Sequence, residues 1–316
     1  MDPLLYFLAR AVVGLLQALP LPWVARLGRA GGRLAYWIDA RHRRVALGNL
    51  QQCFGAEKSL QEIKALAREN FRRIGENFSC AVKTAAMSFE ELRSVCELVG
   101  AEKLLAHPGE AGLPSCVVAI GHFGNFELYA RFGQFLPPFR GVTTYRGLRQ
   151  ASLNRLMQSL RERSGCQFFE RRTEAAALKA ALTGTGVLLG LLADQHAGDR
   201  GLRLPFFGHD CSTSAAPAIF ALRYRWPLHS GFCFRVAPGR WRLEFGDEIP
   251  THEHGRPRSV EAIMLDVNRA FEAAVRRDPA NWFWVHERWK PDKLNRSGSK
   301  ANAAFSEPQP EAEEVL

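Results

Sequence analysis

From residue 115 onward the chain alternates short apolar runs with amphipathic ones. The alternation predicts strands at 115–120, 140–145, 166–170, 186–193, 227–236 and 241–249, and helices at 125–135, 150–164, 173–183, 214–224 and 258–277. The runs at 115–120 and 187–193 are apolar at nearly every position, as strands buried on both faces are. Apolar strands separated by helices of this length predict an α/β fold, a mixed and mostly parallel sheet flanked by helices. In such sheets the carboxyl ends of the strands, and the loops after them, build the site.

Upstream the pattern is helical. Residues 59–86 read as one amphipathic helix with Ile63, Leu66, Ala67, Phe71, Ile74, Phe78 and Val82 on a core-facing stripe. Residues 23–38 form another helix, followed by Arg41-His42-Arg43-Arg44, which either meets lipid phosphates or opens a solvated helix. Residues 3–21 are apolar but broken by Arg10 and Gln17 and closed by Pro20 and Pro22. That is short and impure for a bilayer span, and Asp2 with no cleavage site argues against a signal peptide. An interfacial helix with Tyr6 and Trp23 at headgroup depth is preferred, a core helix and a single span being the alternatives. The expected organisation is a membrane-associating helix at 1–22, a helical segment packed on the catalytic domain at 23–95, the α/β domain at 96–290, and a polar, aperiodic, disordered tail at 291–316.

Composition narrows the partners. The 316 residues are 47% hydrophobic with a formal charge of +10, which favours an anionic membrane surface, a phosphorylated substrate or nucleic acid. The apolar N-terminus is not explained by nucleic acid, so no nucleic-acid partner is expected. Seven scattered cysteines without a C-x-x-C pair read as reduced thiols, and no zinc site is supported.

The candidate chemistry lies in Gly121-His122-Phe123-Gly124-Asn125-Phe126-Glu127, directly after the first apolar strand. A histidine and a glutamate five residues apart do not share a face of one helix, since five steps of about 100° overshoot a full circle by roughly 140°. They meet only if His122 precedes the helix and Glu127 lies in its first turns. The imidazole then folds back on the carboxylate and keeps its other nitrogen as a general base. The bland alternative is a strand-end histidine held by a backbone carbonyl, with Glu127 solvated. Gly121 and Gly124 leave room for substrate, and backbone N–H groups near Gly124 and Asn125, or Arg146 at the end of the next strand, suit an oxyanion. With no Ser or Cys in the motif, the nucleophile comes from the substrate. Asp194-Gln195 closes a very apolar run and forms a site wall. Phe206-Phe207 reads as an acyl groove or as core, and Thr213 as a helix N-cap. His252 and His254 lack a third ligand, and no metal or cofactor is expected.

Together these segments resemble the lysophospholipid-acyltransferase superfamily and, within it, the bacterial lipid A late acyltransferases. The resemblance rests on Arg44 to Asn49-Leu50, the 121–127 motif, Tyr145-Arg146, Asp194-Gln195, Pro205-Phe206-Phe207-Gly208 with Thr213, and Trp284-Val285-His286 with Arg288 and Lys290. It implies transfer of a fatty acyl chain from a thioester to a hydroxyl of a lipid A precursor, with His122 and Glu127 as a general-base dyad. Gly124, Asn125, Arg146, Asp194 and Gln195 are then expected at the substrate. It further implies acyl carrier protein as donor, with acyl coenzyme A as the alternative, a glycolipid acceptor, and anchorage at the cytoplasmic face of the inner membrane. Gly147, Gln150 and Ala151 depart from the family's usual prolines and asparagine and leave the dyad intact.

Overall fold

Two strands with side chains packed on both faces form the middle of the sheet: β2 (Cys116–Ile120), buried at every position, and β5 (Val187–Leu192), exposed only at Leu192. The computed structural model describes residues 2–105, 113–136, 139–148 and 150–290. The 291–316 tail, expected to be disordered, lies outside the described residues. Around the central pair stand β1 (Cys96–Val99), β3 (Arg140–Tyr145), β4 (Gln167–Glu170), β8 (Leu228–Ala237) and β9 (Arg240–Ile249), in the order β1-β9-β8-β2-β5-β3-β4. From β8 to β4 all neighbours are parallel, while β9 turns back antiparallel on β8 and carries β1 beside it. The sheet is therefore mixed and mostly parallel, as the alternating pattern predicts.

Four long helices open the chain: α1 (Asp2–Ala18), α2 (Leu21–Ile38), α3 (Ala40–Phe54) and α4 (Leu60–Ala86). Helix α4 starts with a full capping box, Ser59 accepting from the Glu62 N–H and the Glu62 carboxylate accepting from the Ser59 N–H. It crosses α2 at backbone contact: a Cβ on Gly32 would sit 2.1 Å from the Phe71 carbonyl oxygen, and one on Gly75 would sit 2.2 Å from that of Gly28. The crossing is pinned by Glu76, fully buried, which accepts from Arg29, from Arg235 Nε at 2.9 Å and from the Gly239 N–H at 2.9 Å. Removing that carboxylate would leave Arg235 without its partner, while Arg29 keeps Glu69; breaking a buried pair from one side commonly costs about 3–5 kcal/mol.

Later helices are α5 (Phe89–Arg93), α6 (Phe132–Phe135), α7 (Ala151–Arg161), α8 (Ala175–Ala181), α9 (Ala216–Tyr224) and α10 (Val260–Arg277). One core layer joins α3, α4, α9 and α10 to one side of the sheet through Phe123, Phe206, Phe271, Trp282 and Trp284; the other holds Cys80, Leu92, Phe132 and Phe245. The helix expected at 125–135 is a 3₁₀ segment, Phe126–Arg131, followed by the single turn of α6. The loop expected after Asp194 contains a hairpin, β6 (Leu202–Phe206) and β7 (His209–Thr213), turned by Phe207 and Gly208, both at positive φ. A small exposed hairpin, β10 (His252–Glu253) with β11 (Arg256–Pro257), carries the histidines at 252 and 254. Among the described residues no helix is long and apolar enough to cross a membrane, and no group of His, Cys, Asp or Glu could hold a metal. All seven cysteines are free thiols.

Candidate active site

Strand register decides what meets His122. Ile120 of β2 lies opposite Leu192 of β5, so the residues two steps beyond each, His122 and Asp194, emerge side by side at the carboxyl edge. The Asp194 carboxylate accepts from the His122 backbone N–H at 2.7 Å, contacts His122 Nδ1 at 2.6 Å, and accepts from Trp282 Nε1 at 2.7 Å. A carboxylate with three donors fixes the tautomer: Nδ1 carries the proton and Nε2 is the ring's basic nitrogen. No group among the described residues bonds Nε2. Asp194 is 1% exposed. Burial alone would raise its carboxyl, but the His122 charge and the hydrogen bonds from His122 and Trp282 outweigh it and hold the pKa below the usual value.

The partner expected for this histidine was Glu127, but in the structure the imidazole meets Asp194. Glu127 binds Arg161 instead, with Oε1 to Nη2 at 2.6 Å and Oε2 to Nε at 3.2 Å. Two features separate it from the imidazole. Residues 126–131 wind as a 3₁₀ helix, which directs Glu127 differently from an α-helical first turn, and the Phe126 ring packs edge-on against His122 at 4.8 Å. Arg161 is itself held, its guanidinium lying 4.7 Å from the centre of the Phe168 ring. His122, Glu127 and Arg161 nevertheless line one cavity of about 620 Å³. That volume is ordinary for a ligand site.

The other expected site residues divide. Arg146 and Gln195 line the cavity; Asp194 stands behind His122 and acts on it rather than on anything in the cavity. Gly124 and Asn125 are structural in their contacts. The Gly124 N–H donates to the Asn281 carbonyl at 3.1 Å, its φ is +51°, and a Cβ there would meet the Cys233 carbonyl at 2.4 Å. Buried Asn125 donates to Thr84 Oγ1 at 3.2 Å. The N–H of Gly124 is therefore committed and not available to an oxyanion in this arrangement. Thr213 ends β7 and accepts from Arg288 Nη2 at 2.9 Å; the cap of α9 is Ala215. Phe206 and Phe207 are core, packed with Trp289, Trp284 and Phe54.

His286, named above only within the Trp284-Val285-His286 stretch, also lines the cavity. Its Nε2 accepts from the His196 N–H at 3.1 Å, so its own proton sits on Nδ1, and burial pushes its pKa down to about 4. The segment carrying it is fastened by fully buried Arg288, which donates to the carbonyls of Ser212 and of Gln195, and by Asn49, which donates at 2.8 Å to the carbonyls of Trp284 and His286. The aromatic Trp-x-Trp run was the only sequence signal that this segment closes on something.

A covered, mostly parallel sheet with a tautomer-fixed histidine at its carboxyl edge, beside a cavity whose lining joins apolar Ile120, Leu188 and Met157 to charged side chains, is the layout of an α/β enzyme. The chain belongs to the bacterial lipid A biosynthesis acyltransferase family, whose model matches residues 2–291, and is an acyltransferase. It is similar to the lipid A biosynthesis palmitoleoyltransferase of Escherichia coli strain K12, 24% identical over 294 residues that cover 90% of this chain and 91% of the relative. It is also similar to the lauroyltransferase of the same strain, 25% identical over 295 residues with the same coverage, and to a lipid A biosynthesis acyltransferase of Shigella flexneri at 24%.

Proposed function

We propose that the protein moves a fatty acyl chain from an acyl thioester, with acyl carrier protein as donor, to a hydroxyl of a lipid A precursor, and that His122 is the general base with Asp194 as its brace. The observation that carries this is the 2.6 Å contact of Asp194 with His122 Nδ1, which leaves Nε2 for the substrate. The acceptor hydroxyl gives its proton to Nε2 as its oxygen attacks the thioester carbonyl carbon. The tetrahedral oxyanion collapses, the C–S bond breaks, and the thiolate takes the proton from the imidazolium. Asp194 stabilises that imidazolium while it exists. Arg146, in the cavity wall, stabilises the oxyanion in this reading. Glu127 and Arg161 form a rigid bidentate pair that shapes the wall in which the acceptor hydroxyl is presented.

Membrane docking at the cytoplasmic face of the inner membrane is part of this reading. Helix α1 exposes Leu4, Phe7, Leu8, Val12 and Leu15, and α2 exposes Trp23, Leu27, Leu34, Trp37 and Ile38. Positions 4, 8, 12 and 15 on α1, and 23, 27, 34 and 38 on α2, follow one another at intervals of three, four or seven, so each helix offers one apolar stripe, as helices lying in an interface do.

The test is transfer of labelled acyl chains from acyl carrier protein to a lipid A precursor in detergent, by wild type and by His122→Ala. Loss in the variant, with its circular dichroism unchanged, is the expected result; equal transfer by the two would refute the mechanism. Activity of the wild type only toward a different glycolipid acceptor would keep the chemistry and move the substrate.

A further inference from the structure

A second cavity of about 480 Å³ adjoins the first, sharing Arg146, Arg171, His196 and His286 with it. Its chemistry is different. Arg41, Arg146, Arg171, Arg172 and Lys290 all line it, against one carboxylate, Glu287. Topology gathers them: Tyr145 and Glu170 are paired neighbours at the ends of β3 and β4, so Arg146 and Arg171 leave the sheet together, and Arg41 arrives from the first turn of α3. Among the described residues none of the five side chains is in an ion pair, whereas Arg73, Arg276 and Arg277 elsewhere each hold a carboxylate. Nearby acids are already engaged. Glu170 accepts from the backbone N–H groups of Arg172 and Thr173, and Asp39 holds His42. Five converging cations facing the single lining carboxylate Glu287 repel one another, and an anion in their midst relieves this.

The geometry points to a subsite for a phosphate monoester carried by the acceptor glycolipid, an inference that rests on the acyl-transfer reading of the adjoining cavity. Arginine forks suit phosphate oxygens, and a concave basin fits a compact anionic group better than the convex surface of an acidic protein. The source is read from position. Arg41 follows Trp37 and Ile38, which are 62% and 72% exposed at the end of the apolar stripe of α2. A lipid held in the surface that this stripe enters would present its headgroup phosphate at the basin while a neighbouring hydroxyl reaches His122. A donor thioester, in contrast, needs the apolar lining of the catalytic cavity.

The experiment uses the full chain and Arg41→Gln/Arg172→Gln/Lys290→Gln, three residues that line the basin but not the catalytic cavity. With a phosphorylated lipid A precursor, the variant's KM for acceptor should rise at least tenfold while its KM for acyl donor stays within twofold. With the same acceptor dephosphorylated, wild type and variant should be alike. In parallel, glucosamine 1-phosphate followed by phosphorus NMR should broaden with wild type and not with the variant. A rise in donor KM instead would assign the basin to the carrier protein or to the donor's own phosphate and overturn the inference, as would unchanged constants or an unbroadened resonance with wild type. If wild type transfers to no glycolipid, the acyl-transfer reading fails, and the phosphorus resonance still decides the subsite.

Discussion

Asp194 and Glu127 are two carboxylates at one cavity, and their surroundings set them to different work. Asp194 is dry, reached by three donors from His122 and Trp282, and sits one strand away from the histidine in exact sheet register. Glu127 is a quarter exposed, belongs to a 3₁₀ turn, and spends both oxygens on Arg161. Sequence proximity favours Glu127 as the histidine's partner; strand register favours Asp194. A buried carboxylate with a fixed imidazole controls a proton, while a solvent-touched bidentate pair controls shape and charge in the wall.

Substitutions sharpen that contrast, beginning with the largest effect. His122→Ala should lower kcat by about 10³- to 10⁴-fold, at the upper end of what a positioned base supplies. Asp194→Asn should cost roughly 10²- to 10³-fold, because an amide presents a donor where only acceptors fit and frees the wrong tautomer. Glu127→Gln should cost about ten- to a hundredfold, since Arg161 then projects an unpaired cation near His122, and Glu127→Gln/Arg161→Gln should recover part of it. A larger loss for Glu127→Gln than for Asp194→Asn, with no recovery in the double variant, would reverse the assignment.

Smaller effects should appear in stability. Trp282→Phe removes one donor from the buried Asp194 carboxylate and should destabilise by about 1–2 kcal/mol in urea unfolding. His286 gives a pH dependence. Its pKa falls from 6.5 to about 4 on folding, so the unfolded chain binds that proton first. The stability it contributes is whole above about pH 6.5 and is lost as pH falls toward 4, roughly 2–3 kcal/mol in all. Asp194, whose carboxyl is lowered, adds a loss that begins as pH falls through the usual carboxylate value and continues down to its lowered one. His286→Asn should flatten the slope between pH 6.5 and 4 and leave the more acidic limb.

The sheet was legible in the sequence because β2 and β5 are apolar along their lengths; the stripe expected on α4 holds at Ile63, Ala67 and Phe71, but Phe78 is exposed and the later turns bury Glu76, Asn77 and Cys80. The hairpin of β6 and β7 was missed although Leu202, Leu204 and Phe206 alternate with polar or exposed positions; its turn uses Phe207-Gly208, where Asn-Gly or Asp-Gly is the usual signal. His122 was found because it stands at a strand end in a glycine-flanked motif. Its buried partner was placed only in a wall, since Asp194 is 72 residues away and only sheet register brings the two together. The basin at Arg41, Arg146, Arg171, Arg172 and Lys290 was invisible for the same reason, being assembled from four separate stretches of chain.

The most direct measurement is the imidazole proton itself, by nitrogen-15 histidine labelling in detergent. The His122 Nδ1–H resonance should be strongly downfield in wild type, persist in Glu127→Gln, and vanish or move sharply upfield in Asp194→Asn. Persistence in Asp194→Asn with loss in Glu127→Gln would contradict the account and return the histidine to Glu127.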